Sequence, residues 1–138
     1  MNSIMLLWQK IEEWMYKNAP FLITTLNPGA TPTQINYYEK KFGLMFSDTY
    51  KALLSVCNGQ QSRKADYSRN IGYFYSQYFL SLEDSFRKWD SLVNSTDLDI
   101  QYVFKKSFIP LTGTFDPIIV IEATSEQIFE VFVSAPDW

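Results

Sequence analysis

The chain has 138 residues, which is the length of one domain, and 46% of them are hydrophobic, as is typical of a globular protein. Its formal charge of -3 lacks the basic excess that general nucleic-acid binding requires, so that class of function is disfavoured. The absence of histidine excludes Ser-His-Asp and Cys-His catalysis, and the single cysteine, Cys57, excludes an internal disulfide or a zinc cluster of several cysteines.

The first predicted element is an amphipathic helix over residues 3–18. Apolar side chains recur there with helical spacing, so we expect Trp8 and Ile11 to face the core. The pair Ala19-Pro20 ends the helix, because the residue before a proline is disfavoured in the helical conformation.

A second helix is predicted from a capping pattern. Thr31 is the expected N-cap, with proline next and Gln34 three residues on to complete a capping box. Gly43 is the expected stop. Glu39 flanks the apolar stripe, and we expect this carboxylate to accept backbone N–H groups from a neighbouring loop or from the start of the next helix.

A third helix is predicted from Ser47 onward. Its apolar stripe includes Leu53, Leu54 and Cys57, and we expect both leucines to be buried. Asn58-Gly59 ends it, with a positive φ at Gly59 or, failing that, at Asn58.

The middle of the chain contains one further predicted helix. Residues 60–70 are polar and are interpreted as a surface loop or a poorly paired hairpin, and residues 71–80 are aromatic and strand-like. Ser81 caps a fourth helix, in which Trp89 is expected to be buried. Residues 97–101 are interpreted as a loop.

Three strands are predicted at the end of the chain, over residues 107–111, 118–122 and 127–133. Pro110 indicates that the first of them ends there or lies at a sheet edge. Ile119, in the second, is expected to be buried. Since helices lead and strands cluster in the C-terminal half, we predict an α+β fold with a central, mostly antiparallel sheet packed against helices.

The chain shows no motif for catalysis or cofactor binding. The P-loop, G-x-G-x-x-G and G-x-S-x-G patterns are absent. Asp97 and Asp99 offer two carboxylates to Mg²⁺, but such sites need more convergent ligands, so a solvated turn is favoured. Cys57 is interpreted as a core residue, because a thiolate is disfavoured at a helix C-terminus. We therefore expect no enzymatic activity, no cofactor and no metal.

Two groups of residues are candidates for binding a protein. The aromatic residues 73–79 either fill the core or present tyrosines to a partner, and both interpretations stay open. Residues 107–138 contain five acids and no lysine or arginine, which either keeps the sheet soluble or steers a basic partner. The candidate partner-binding residues are Tyr73, Tyr75, Tyr78, Asp97, Asp99, Asp116, Glu122, Glu126 and Glu130.

Short motifs follow one another along the chain in a characteristic order. They are Trp8, Ile11-Glu12, Asn27-Pro28-Gly29, Ile35, Glu39, Phe42-Gly43, Asn58-Gly59-Gln60, Leu80-Ser81-Leu82, Trp89 and Phe108-Ile109-Pro110-Leu111. This ordered set resembles the SUKH superfamily, and the matching motifs are densest over residues 26–60. Fungal members regulate cell-wall glucan synthesis, and bacterial members are mostly immunity proteins that neutralise cognate toxins, often nucleases.

The resemblance implies a single domain over residues 1–138 with a central antiparallel sheet, no cofactor and a protein partner. It also implies that the matched positions are scaffold rather than chemistry. The structural residues are Trp8, Glu39, Asn58, Gly59, Trp89 and Pro110.

Three functions follow as expectations. The first is an immunity protein that binds a cognate toxin, favoured by the small size of the domain. The second is a regulatory or scaffold module in cell-wall synthesis or signalling, and the third, a small enzyme, is disfavoured by the missing motifs. No apolar run approaches the roughly 20 residues of a membrane span, and the N-terminal run is too short for a signal peptide, so we expect a cytoplasmic protein without a membrane partner. The oligomeric state stays open.

Overall fold

The computed structural model describes residues 3–61, 79–113 and 118–132, and these ranges contain helices followed by strands. The helices are α1 (Ser3–Asn18), α2 (Pro20–Ile23), α3 (Pro32–Phe42), α4 (Asp48–Val56), α5 (Leu82–Val93) and α6 (Leu98–Val103). The strands are β1 (Phe108–Pro110), β2 (Ile118–Glu122) and β3 (Ile128–Val131). The predicted α+β class is confirmed.

Helix α1 ends at Asn18 as predicted, but the chain remains helical beyond Pro20, because proline is tolerated in the first turn of a new helix. The predicted apolar stripe is wrong in part. Trp8 and Met15 are buried, whereas Ile11 is 42% exposed. The helix lies at the periphery of the domain, so its core-facing side is narrower than its apolar stripe.

Helix α3 has the predicted boundaries and caps. The Thr31 hydroxyl accepts a hydrogen bond from the Gln34 N–H at 3.1 Å, and the Gln34 side chain accepts one from the Thr31 N–H at 2.9 Å. This reciprocal pair satisfies donors that the first turn leaves free. Gly43 ends the helix with a φ of +66°.

Helix α4 begins at the predicted cap, where the Ser47 hydroxyl accepts from the Tyr50 N–H at 3.1 Å. It ends at Val56, before the predicted stop, because Cys57 adopts an extended conformation. Gly59 has the predicted positive φ, +73°, but it belongs to the turn after the helix rather than to its cap. Leu54 is fully buried, whereas Leu53 is only half-buried and packs against the core.

Two predictions around α5 and α6 need correction. Trp89 is half-buried rather than buried, although its ring packs on Phe42 and its Nε1 donates to the Lys106 carbonyl at 3.0 Å. Residues 97–101 are not a loop, since α6 begins there. Asp97 caps α6 by accepting from the Asp99 N–H at 2.9 Å, and the helix is too short for its apolar spacing to reveal it.

The described strands form an antiparallel sheet in the order β1-β2-β3. The predicted bounds of β2 are confirmed, and β1 and β3 are shorter at their ends than predicted. Pro110 is the last residue of β1, which has no second described neighbour, as the prediction of a terminal or edge position required.

Strand β2 divides the core into two parts, because its successive side chains point to opposite faces. Ile119 and Ile121 join a cluster that includes Trp8 of α1, Phe42 of α3 and Leu54 of α4. We call this side of the sheet the α4 side. Ile118 and Val120 join a second cluster with Leu92, Phe104 and Phe108, against which Ile100 and Val103 of α6 pack. We call this the α6 side.

Candidate protein-binding surface

The structural residues Asn58 and Gly59 tie three segments of the backbone together. The Asn58 Oδ1 accepts from the Leu82 N–H at 2.9 Å, which caps the start of α5. The Asn58 carbonyl accepts from Asn27 Nδ2 at 2.8 Å, and the Gly59 carbonyl accepts from the Asn27 N–H at 2.9 Å. These bonds hold the loop before α3, the end of α4 and the start of α5 in one arrangement.

Glu39 has the predicted role of a backbone acceptor. Its Oε2 accepts from the Phe46 N–H at 2.9 Å, in the loop that leads into α4, and lies 3.5 Å from Lys51 Nζ. The carboxylate therefore links α3 to the beginning of α4.

Cys57 is a core residue, as predicted. Burial raises the pKa of its thiol to about 12. The thiol donates a hydrogen bond to the Gly59 carbonyl oxygen, with 3.4 Å between sulfur and oxygen. A thiol held protonated in this way is a poor nucleophile at neutral pH.

A polar cleft of about 310 Å³ opens beside this frame, between the loop at Asn27, Tyr38 of α3 and Glu83 of α5. Burial raises the pKa of the Tyr38 hydroxyl, and the nearby Glu83 carboxylate acts in the same direction. Among the described residues, no group of three or more His, Cys, Asp or Glu side chains is placed to hold a metal ion. The cleft offers hydrogen-bonding groups for polar recognition.

The acidic candidates do not share one side of the sheet. Glu130 pairs with Ile119 in the register and so lies on the α4 side. Glu122 follows Val120 by two residues, so its side chain lies on the α6 side. The other two acids belong to the helix that covers this side: exposed Asp97 is the N-cap of α6, and exposed Asp99 is in its first turn. Tyr73, Tyr75, Tyr78 and Asp116 lie outside the described residues.

Apolar and acidic side chains meet on the α4 side of β3. Ile128 is 63% exposed, and Phe132, just after the strand, is 53% exposed. Glu130 stands between them, and Glu126 precedes them in the turn, where its Oε2 accepts from the Thr49 hydroxyl at 3.2 Å. We call Glu126, Ile128, Glu130 and Phe132 the β3 surface.

The exposed apolar residues of the β3 surface were not among the sequence-based candidates, which named only acids and tyrosines. An alternating strand read from sequence does not show which side is covered by a helix. Only the exposure of Ile128 and Phe132 in the folded chain marks them as available for contact.

The chain matches the SMI1 / KNR4 family (SUKH-1) over residues 29–137, which is more than half of its length. No curated protein matches it. Within the described residues, no helix is long and apolar enough to cross a bilayer. The expected resemblance is confirmed, and the chain belongs to the SMI1 / KNR4 family (SUKH-1).

Proposed function

We propose that the chain is an immunity protein, which neutralises a cognate bacterial toxin by binding it, and that it has no catalytic activity of its own. Family membership supports a role of this kind or a regulatory one. The observation that favours toxin binding is the β3 surface, because exposed apolar side chains flanked by carboxylates fit a partner with a basic groove.

The chemistry of such a partner follows from what a nuclease must do. A nuclease holds phosphates with lysine and arginine side chains. Carboxylates such as Glu126 and Glu130 occupy that groove in place of the phosphates and speed the encounter by long-range attraction. Ile128 and Phe132 supply apolar contact area, which slows dissociation.

The toxin to use in the test is a protein encoded next to the gene of this chain. The variant Glu126→Lys/Glu130→Lys reverses the charge of the β3 surface. The control Asp99→Lys/Glu122→Lys makes the same change of net charge on the α6 side. Both variants must first show the circular dichroism spectrum and melting profile of the folded protein, because Glu126 also bonds Thr49.

We expect the β3-surface variant to lose protection of cells that express the toxin, with an association rate at least about tenfold slower at low salt. The control is expected to protect like the wild type. Equal losses of protection in the two variants would show that net charge, and not the β3 surface, causes the loss. Unchanged protection by the β3-surface variant would show that the toxin binds elsewhere. Either outcome contradicts the proposed surface.

A further inference from the structure

Helix α1 carries an apolar stripe that the other described elements leave exposed. Leu7 is 55% exposed, Ile11 is 42% exposed and Trp14 is 58% exposed. Their spacing of four and then three residues places them on one line along the helix. We call these three residues the α1 stripe. Anchors with this spacing are typical of a helix that docks against another surface.

The α1 stripe is bounded by charge on one side only. Lys10 and Lys17, both exposed, are seven residues apart and border it on the solvent side, about 10.5 Å from each other along the axis. On the other side stand Trp8 and Met15, which are buried in the domain. The surface that covers the stripe should therefore carry carboxylates along one rim.

An anionic membrane is a poorer match than a protein. Helices that lie on such membranes are rich in lysine and arginine on the polar face. In α1 the two lysines are balanced by Glu12 and Glu13. The charge pattern thus favours a surface with a few carboxylates at fixed positions.

The β3 surface of this same chain has the complementary pattern. Ile128 and Phe132 supply apolar contacts, and Glu126 and Glu130 supply two carboxylates. The four-residue step from Glu126 to Glu130 can span at most about 14 Å, so these acids can match the spacing of about 10.5 Å between the two lysines on α1. The α1 stripe and the β3 surface are both exposed in one folded chain, so they do not cover each other within it.

We propose that α1 of one copy docks on the β3 surface of a second copy, with Lys10 and Lys17 facing Glu126 and Glu130. A symmetric antiparallel pairing of two α1 helices is disfavoured, because it brings the two lysine rows together. The proposed contact is head-to-tail and so extends to chains or rings of copies as the concentration rises. It does not depend on toxin neutralisation, although a toxin on the β3 surface would compete with it.

The test is sedimentation velocity of the full chain from about 10 µM to about 1 mM at low salt, the range in which a small contact associates. One variant, Lys10→Glu/Lys17→Glu, reverses the lysines on α1. The second, Glu126→Lys/Glu130→Lys, reverses the carboxylates on β3. A matched control, Lys40→Glu/Lys106→Glu, changes the net charge as the first variant does at exposed positions outside both surfaces.

We expect the wild type and the control to sediment faster with concentration, and each reversed variant alone to remain monomeric. An equimolar mixture of the two reversed variants is expected to associate again, because each α1 then meets a β3 surface of opposite charge. A wild type that stays monomeric throughout would overturn the proposal. So would a Glu126→Lys/Glu130→Lys variant that associates as the wild type does, since the contact would then not use the β3 surface.

Discussion

A methyl group added at Gly59 should disturb this fold strongly. A Cβ at Gly59 would lie 2.3 Å from the Ser81 nitrogen and 2.4 Å from the Leu80 carbonyl carbon. These are backbone atoms, held in place because the Leu80 N–H donates to the Leu111 carbonyl at 2.9 Å. Because the clash is with backbone and not with the end of a flexible side chain, the start of α5 must shift.

The magnitude of the effect has two components. The φ of +73° costs an alanine about 1–2 kcal/mol relative to glycine. Forcing the backbone at Leu80 and Ser81 apart adds about 1–3 kcal/mol, as overpacking of a tight interior does. We therefore expect Gly59→Ala to lower the free energy of unfolding by about 2–5 kcal/mol, a large part of the stability of a domain this size.

Gly43 provides a matched control, because its φ is +66° but a Cβ there meets nothing within 4 Å. Gly43→Ala is expected to cost only the backbone component, about 1–2 kcal/mol. The loss of glycine flexibility in the unfolded chain is common to both variants and cancels in the comparison. Equilibrium unfolding in urea measures both values. The reasoning fails if Gly59→Ala is no more destabilising than Gly43→Ala.

Three further predictions concern the core and its polar links. Leu54→Ala should lower the free energy of unfolding in urea by about 2–5 kcal/mol and Leu53→Ala by clearly less, because only Leu54 is fully buried; equal losses would contradict this. Glu39→Ala should lower the free energy of unfolding by about 1–3 kcal/mol in the same assay, because it leaves the partly buried Phe46 N–H without its acceptor. Lys51→Ala should cost at most about 1 kcal/mol, because the ion pair between Lys51 and Glu39 is partly exposed. Burial raises the pKa of Cys57 from 9.0 to about 12 in the folded state, so the unfolded chain loses the thiol proton first and stability should fall as pH rises above about 9. Urea unfolding across this pH range should show a shallower decline for Cys57→Ala, and parallel declines would refute the assignment.

Several elements are predictable from the amino-acid order because the interactions that form them are local. The caps of α3 depend on Thr31, Gln34 and Gly43, which are all within or next to the helix, so their pattern is sufficient to predict its bounds. Residues 118–122 are predicted to form a strand, and β2 has these bounds. The family resemblance likewise came from the linear order of motifs.

Which side of each element is covered depends on how the elements pack, so it becomes visible in the folded chain. Periodicity placed Trp8 and Ile11 on one apolar stripe, but the domain buries the first and exposes the second, because the packing neighbours of α1 cover only part of that stripe. Glu122 and Glu130 are both acids in neighbouring strands, yet the register of β2 with β3 and the alternation of side chains place them on opposite sides of the sheet. A sequence records the direction of a side chain relative to its own element, whereas exposure depends on distant elements that pack against it.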